Sequence, residues 1–337
     1  MENQHTGAPF SWYPKDGSRP ETGALLIHGL LDSSFIMRDV GKILLDQGIA
    51  VEGILLPGHG TTPDDLLTVQ HDQWQEAVTN SIRALQSRVR KIILTGYSLG
   101  GALAALHALD NSAIAGIILL CPAFRIAQPT PAITALYSQL RRIFPLSGWI
   151  KRSTELDSVK YCSISLKAVQ QVYELTQILQ QKLLSRPLAC PLLLAASLED
   201  GIICSKTAIG EFGRNTHPSS SAIVWAASPE NACKKCTDKR IVWRTSQFPQ
   251  MGITEFSHIA PPVAPDNPHY GSHGDYQLAS HIDPLKWRYG EETELCTIRE
   301  NLKYLFGLSR QKYRRLTFNP DFSYMKQKII QFVNMLG

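Results

Sequence analysis

Residues Lys91–Asp110 read KIILTGYSLGGALAALHALD. The run Ile92–Leu94 and the residues around it suit a strand buried on both faces, and from Leu99 the pattern turns helical among small residues. Between the two stands Ser98, with Gly96 and Gly100 two positions away on either side. A buried strand that becomes a helix within so few residues needs a tight turn, and small neighbours let the helix approach the sheet while the serine hydroxyl stays exposed. The Leu99 N–H then lies at a helix N-terminus and points at negative charge developing beside the serine. A helix-capping serine accounts for the pentapeptide taken alone. The flanking segments argue for more.

Upstream lie GALLIHG (Gly23–Gly29), a helical stretch ending in glycine, IAVEGILL (Ile49–Leu56) and a turn-rich PGHGTTPDDLLTV. HDQWQEAVTNSIRALQSR (His71–Arg88) repeats apolar residues at three- and four-residue spacing and predicts an amphipathic helix. Downstream come AIAGIILLCPA (Ala113–Ala123), CPLLLAASLEDG (Cys190–Gly201) and SAIVWAAS (Ser221–Ser228), with further candidate strands in RIVWRTSQF and GITEFS. Strand-like runs alternating with helices predict an α/β fold with a mostly parallel central sheet flanked by helices. The alternation breaks from Phe124 to Pro187, which reads as helix and loop without a convincing strand. The expected division is therefore a core over 1–123, an inserted, mainly helical cap over 124–187, and the rest of the core over 188–337, with an enlarged loop region at about 229–250.

Bulk properties narrow the function. The 337 residues are 44% hydrophobic and 19% charged, an ordinary globular balance. A net charge of +5, spread along the chain, argues against nucleic-acid binding. The N-terminus lacks the apolar core of a signal peptide, and no run reaches the ~18 apolar residues of a spanning helix. Seven cysteines at irregular spacing fit reduced thiols. Together these predict a cytoplasmic location.

The motifs IHGL, LPGHG and GYSLGG, in this order and spacing, resemble the α/β-hydrolase superfamily, in its branch of monoacylglycerol lipases, lysophospholipases and serine aminopeptidases. The resemblance implies a triad in the chain order serine, acid, histidine and an acyl-enzyme reaction without metal or organic cofactor. Ser98 is the expected nucleophile. His28 and Gly29 shape the loop that offers the Leu30 N–H, which with the Leu99 N–H forms the expected oxyanion hole. The family's acid is an aspartate just past the next-to-last core strand, followed by one residue and a pair of aliphatics, a pattern that ASLEDGII matches at Asp200, with Glu199 as its rival. The histidine lies on the loop after the last strand. His258 in GITEFSHIAPP fits best, while His269, His273 and His281 crowd the same region.

The spacing from Asp200 to His258 exceeds the family's usual one. SPENACKKCTDKRIVWRTSQ accounts for the excess as an added hairpin or loop. Its Cys233 and Cys236 form one C-x-x-C pair without the second pair a zinc site needs, so no metal is expected.

The expected activity is hydrolysis of carboxylic esters, with acyl-glycerol or lysophospholipid-like lipids as substrates. YSQLRRIFPLSGWIKR in the cap mixes Leu140, Ile143, Phe144, Leu146, Trp149 and Ile150 with basic residues, a composition suited to transient contact with a membrane surface as well as to a packed cap helix. A thioesterase would use the same triad. A serine aminopeptidase would need a cap carboxylate for the substrate amine, with Glu155, Asp157 and Glu174 available. A non-catalytic binding protein on this fold is the remaining alternative. Oligomeric state is not legible.

Overall fold

The computed structural model describes residues 7–15, 20–127, 148–215, 217–276, 287–291 and 312–337. In chain order its elements are β1 (Phe10–Trp12), β2 (Thr22–Ile27), α1 (Arg38–Leu45), β3 (Ala50–Gly53), α2 (His71–Gln86), β4 (Lys91–Tyr97), α3 (Leu99–Asp110) and β5 (Ile114–Leu120). After these come β6 (Trp149–Lys151), β7 (Ile164–Ser165), α4 (Leu166–Ser185), β8 (Leu192–Ser197), α5 (Ser205–Arg214), β9 (Ser221–Ala226), α6 (Pro229–Lys235) and β10 (Ile241–Thr245). The chain closes with β11 (Trp287–Gly290), β12 (Lys312–Arg315) and α7 (Phe322–Leu336).

Eight strands form one sheet in the order β1-β3-β2-β4-β5-β8-β9-β10. Only β1, a short edge strand absent from the sequence reading, runs antiparallel, against β3. The central strands are apolar throughout because helices cover both faces. A side chain on Gly23 would meet Leu85 and Val89 around the end of α2, whereas Leu26 of the same strand touches Gly41 of α1. Positions three apart on a strand face opposite ways, so α1 and α2 lie on opposite faces.

Crowding around β4 dictates the glycines of the serine turn. A Cβ on Gly100 would stand 2.0 Å from the Ile27 carbonyl oxygen, and one on Gly96 would stand 2.2 Å from the Gly100 oxygen. Both obstacles are backbone. Gly100→Ala should therefore destabilise the fold by about 3 kcal/mol. A thermal melt indistinguishable from wild type would show that α3 does not need this approach.

The region around 229–250 differs from expectation. It forms no enlarged loop or hairpin: α6 carries the chain back so that β10 joins β9 in parallel, adding one helix-strand unit at the sheet edge. A parallel neighbour requires such a crossover, and the apolar run Ile241–Trp243 supplies the strand. GITEFS makes only isolated bridges, from Ile253 to Phe248 and Tyr289. The expected strand-free stretch from 124 to 187 contains the small antiparallel pair β6–β7 before α4. Leu140, Ile143, Phe144 and Leu146, proposed for lipid contact, lie outside the described residues. Exposed Ile150 and half-buried Trp149 are described, with Arg152 stacked 4.3 Å from the Trp149 ring. No described helix is long and apolar enough to cross a membrane.

Candidate active site

Four loops at the carboxyl ends of neighbouring parallel strands converge, the place where such sheets gather ligands. Ser98 follows β4 directly, with φ 54° and ψ −116°. A positive φ at a non-glycine residue costs on the order of 1–3 kcal/mol and persists only where the surroundings over-determine it. Here they do. The Ser98 N–H donates to the Leu120 oxygen at 3.0 Å, and its carbonyl accepts from Gly101, Ala102 and Ala123 at 3.0, 3.2 and 2.9 Å.

Asp200 lies three residues past β8. Its Oδ1 accepts the N–H groups of Ile202 and Ile203 at 2.9 and 3.0 Å, which leaves Oδ2 for the ring of His258, 2.6 Å away at Nδ1. His258 Nε2 is 2.8 Å from Ser98 Oγ. With Nδ1–H donated to the carboxylate, Nε2 is left to accept the serine hydroxyl proton. Burial opposes charge on this imidazole, but Asp200, together with Glu291 and Asp32, outweighs it, and the pKa rises above the ordinary histidine value.

Leu30 lies three residues past β2, and Leu99 opens α3. Neither N–H donates to an acceptor among the described residues. Leu99 opens α3, so its N–H lies beyond the reach of intrahelical bonding. His28 is wholly buried and neutral: Nε2 accepts from Leu56 N–H at 3.0 Å and Nδ1 donates to the Gly29 oxygen at 2.8 Å. Burial and the neighbouring His59 push its pKa well below the usual value.

His59, quoted within LPGHG but given no role, completes this support. Its Nε2 accepts the Leu31 N–H at 3.2 Å while Nδ1 donates to the Pro57 oxygen, and burial pulls its pKa down to about 4. Leu31 has φ 68° and is held from the other side by the Tyr161 N–H, 2.8 Å from its carbonyl. The residue after Leu30 is thus clamped between LPGHG and the 124–187 region.

The remaining candidates lie apart. Glu199 accepts from Ala227 N–H and Ser246 Oγ at 2.7 and 3.2 Å, bracing the next strand ends instead of facing His258. His269 sits between Asp157 and Asp275. His273 lines a separate surface hollow with Pro265 and Asn267, and His281 lies outside the described residues.

Three groups near the site were not singled out from sequence. Asp32 is 4% exposed, with Lys160 Nζ 3.7 Å from its carboxylate. That carboxylate and Ser98 Cβ both border the position a Gly29 side chain would take, at 3.0 and 3.1 Å. Buried Cys121, at φ 42°, has its thiol within 4.8 Å of donor atoms of Asp200 and His258. These three are the described residues whose donors group closely enough to hold a metal ion, but Asp200 and His258 are already engaged with each other. Buried Glu291 accepts the His258 main-chain N–H at 2.7 Å. Cys233 and Cys236 are free thiols at the end of α6.

A cavity of about 470 Å3 opens beside the loop after β2, lined by Leu31, Asp32, Leu55, Thr61, Val159 and Tyr161 among others. The family described as "Serine aminopeptidase, S33" matches residues 18–219, more than half of the chain. The chain belongs to the serine aminopeptidase S33 family. The S33 match takes in Ser98 and Asp200 and ends before β9, so it covers neither His258 nor Glu291.

Among relatives of this S33 protein, the thermostable monoacylglycerol lipase of Bacillus sp. (strain H-257) is 27% identical over 184 residues, 54% of this chain and 71% of that protein. The carboxylesterase of Bacillus subtilis (strain 168) is 26% identical over 144 residues, 42% of this chain and 56% of that one. Of solved structures, one from the metagenome-derived lipolytic enzymes LipS and LipT superposes with a TM-score of 0.56 at 21% identity, over 65% of this chain and 86% of that one. The Paleococcus ferrophilus monoacylglycerol lipase gives 0.53 at 22%, over 65% and 88%. At these identities the superpositions establish the fold, which is that of the α/β-hydrolases.

Proposed function

We propose that this S33 protein is a carboxylic ester hydrolase of the lipase and esterase type, acting through Ser98, His258 and Asp200 on lipid-like esters. The observation that carries the reading is the continuous hydrogen-bonded chain from Ser98 Oγ through the His258 ring to Asp200. In the first half-reaction Ser98 Oγ attacks the ester carbonyl as its proton passes to His258 Nε2, which returns it to the departing alcohol and leaves an acyl-serine. Water then attacks the acyl group with His258 again taking the proton, and the carboxylic acid leaves as Ser98 is restored. The Leu30 and Leu99 amides supply the donors for the oxyanion in both steps.

Two features support an acyl chain as the recognised part. The cavity carries Leu31, Leu55 and Val159 on its wall beside Asp32, Glu155, Asp157 and Lys160, and although Ser98 and His258 do not line it, it adjoins the site through Asp32. The Bacillus monoacylglycerol lipase is a relative by sequence.

An amine-binding role finds less support. Glu155 is occupied by the N–H groups of Cys162 and Ser163, Asp157 by His269 and Tyr270, and Glu174 by Gln170 and Gln171.

The test is hydrolysis of p-nitrophenyl esters from acetate to palmitate beside a monoacylglycerol, an acyl-CoA and an amino-acid anilide. The expected result is an optimum at medium or long chains, with the monoacylglycerol preferred over the thioester and the anilide. Turnover that falls steadily from acetate onward would overturn the lipid-like substrate class, and preference for the thioester or the anilide would redefine the reaction.

A further inference from the structure

His258 lies on a loop, outside any helix or strand, so its ring can stand between Ser98 and Asp200 only if its main chain is held from elsewhere. The anchors come from residues that follow it in the chain. Its own N–H donates to Glu291 Oε2 at 2.7 Å, and the Ser257 hydroxyl donates to the Leu316 carbonyl. Glu291 Oε2 also faces the N–H of Gly201 at 3.4 Å, the residue directly after Asp200. One carboxylate oxygen therefore bridges the histidine loop and the acid loop.

The register that delivers Glu291 is itself locked. It follows β11, whose Tyr289 exchanges two backbone hydrogen bonds of 2.9 Å with the segment before His258, accepting from Thr254 and donating to Gly252. On its other side β11 pairs with β12, and Leu316 N–H closes the ladder on the Gly290 oxygen at 3.0 Å. A buried carboxylate is costly unless it is hydrogen-bonded, and an apolar residue would fill the same space without that cost. Glu291 is 3% exposed, and what it gains is a grip on both loops.

We propose that Glu291 is a positioning residue of this centre, its carboxylate holding the main chains of His258 and Gly201 so that the imidazole stays aligned between Ser98 and Asp200. The inference rests on the ester-hydrolase reading. Several ionisable groups surround the pair. Asp200, Asp32, Ser98, Tyr97 and Cys121 lie around the His258 ring, while Asp200 and Arg315 act on Glu291. Burial and Asp200 push the Glu291 pKa up, against Arg315 and the His258 interaction, which pull it down. Glu291 in turn favours the charged imidazolium.

The test compares wild type, E291A, E291Q and S98A on p-nitrophenyl butyrate across about pH 5 to 9, with circular dichroism and thermal melting to count folded protein. E291A should lose about 10- to 100-fold in kcat with KM within about twofold, because alignment matters at the reacting step more than in binding. In E291Q the amide oxygen still accepts the His258 N–H, so kcat should return to within about fivefold of wild type. Its acidic limb in kcat/KM should move to lower pH, since a negative charge beside the imidazolium is gone.

E291A with wild-type kcat and an unmoved limb would overturn the proposal. So would activity that falls in E291A and E291Q only in step with folded protein, the kcat per folded molecule and the pH profile unchanged. A wild type inactive on every ester, or an S98A variant as active as wild type, would instead remove the hydrolase reading beneath it.

Discussion

Ser98→Ala should lower kcat/KM on a medium-chain p-nitrophenyl ester by about 10⁴- to 10⁶-fold, with the fold intact. In the proposed mechanism Ser98 Oγ makes and breaks the acyl bond, and nothing among the described residues can replace it there. Cys121, the nearby thiol, is fully buried and its pKa is pushed well up by that burial and by Asp200, so it holds little thiolate to offer. The Leu30 and Leu99 amides and the cavity remain in the variant, and a residual rate above water is expected from them. The measurement pairs steady-state kinetics with labelling by a fluorophosphonate, which should mark wild type at one serine and leave the variant unmarked. A variant that keeps a tenth of the wild-type rate, or takes the label elsewhere, would move the nucleophile away from Ser98.

The second large effect belongs to the acid. Asp200→Asn should cost about 10³- to 10⁴-fold in kcat at neutral pH, because an asparagine can turn its NH2 toward His258 and favour the tautomer whose Nε2 carries the proton. That tautomer cannot accept from Ser98. The sign of the pH effect follows from the same pair. The reaction needs neutral imidazole, and Asp200 raises the pKa of His258 against the effect of burial, so the acidic limb of the wild type lies above the ordinary histidine value. Removing the charge should move that limb to lower pH while the plateau falls. An Asp200→Asn variant with an unchanged limb and a plateau within tenfold of wild type would show that another group holds the ring, with Glu199 the first to replace next.

Most of the core was legible because each signal was local. The apolar run before Gly96 and the small residues after Ser98 specify a strand, a tight turn and a helix, and only such a turn fits a Gly100 whose Cβ would strike the Ile27 carbonyl. The same holds for the ASLEDGII turn, where the two amides after Asp200 orient its carboxylate within four residues. The 229–250 region was misread because α6 is short and polar, and β10 is stabilised as a strand only by pairing with β9. RIVWRTSQF was legible as a candidate strand and becomes β10, but its own residues do not say which strand it joins or that a helix precedes it, since strand pairing is a long-range contact.

By itself the sequence determined the alternation of the main helices and strands and the strained turn that carries Ser98, and it put Asp200 three residues past a buried strand. Tertiary structure decided which histidine reaches the serine. His258 and Ser98 are 160 positions apart, and His269, within the same stretch, turns to Asp157 and Asp275 instead. It also decided that Leu31 is clamped between His59 and Tyr161, and that Glu291 closes on the histidine loop from behind. Periodicity and turn chemistry report on neighbours within a few residues. A hydrogen bond between loops depends on where whole strands and crossovers bring the chain back, and that is settled by burial of the sheet's apolar faces.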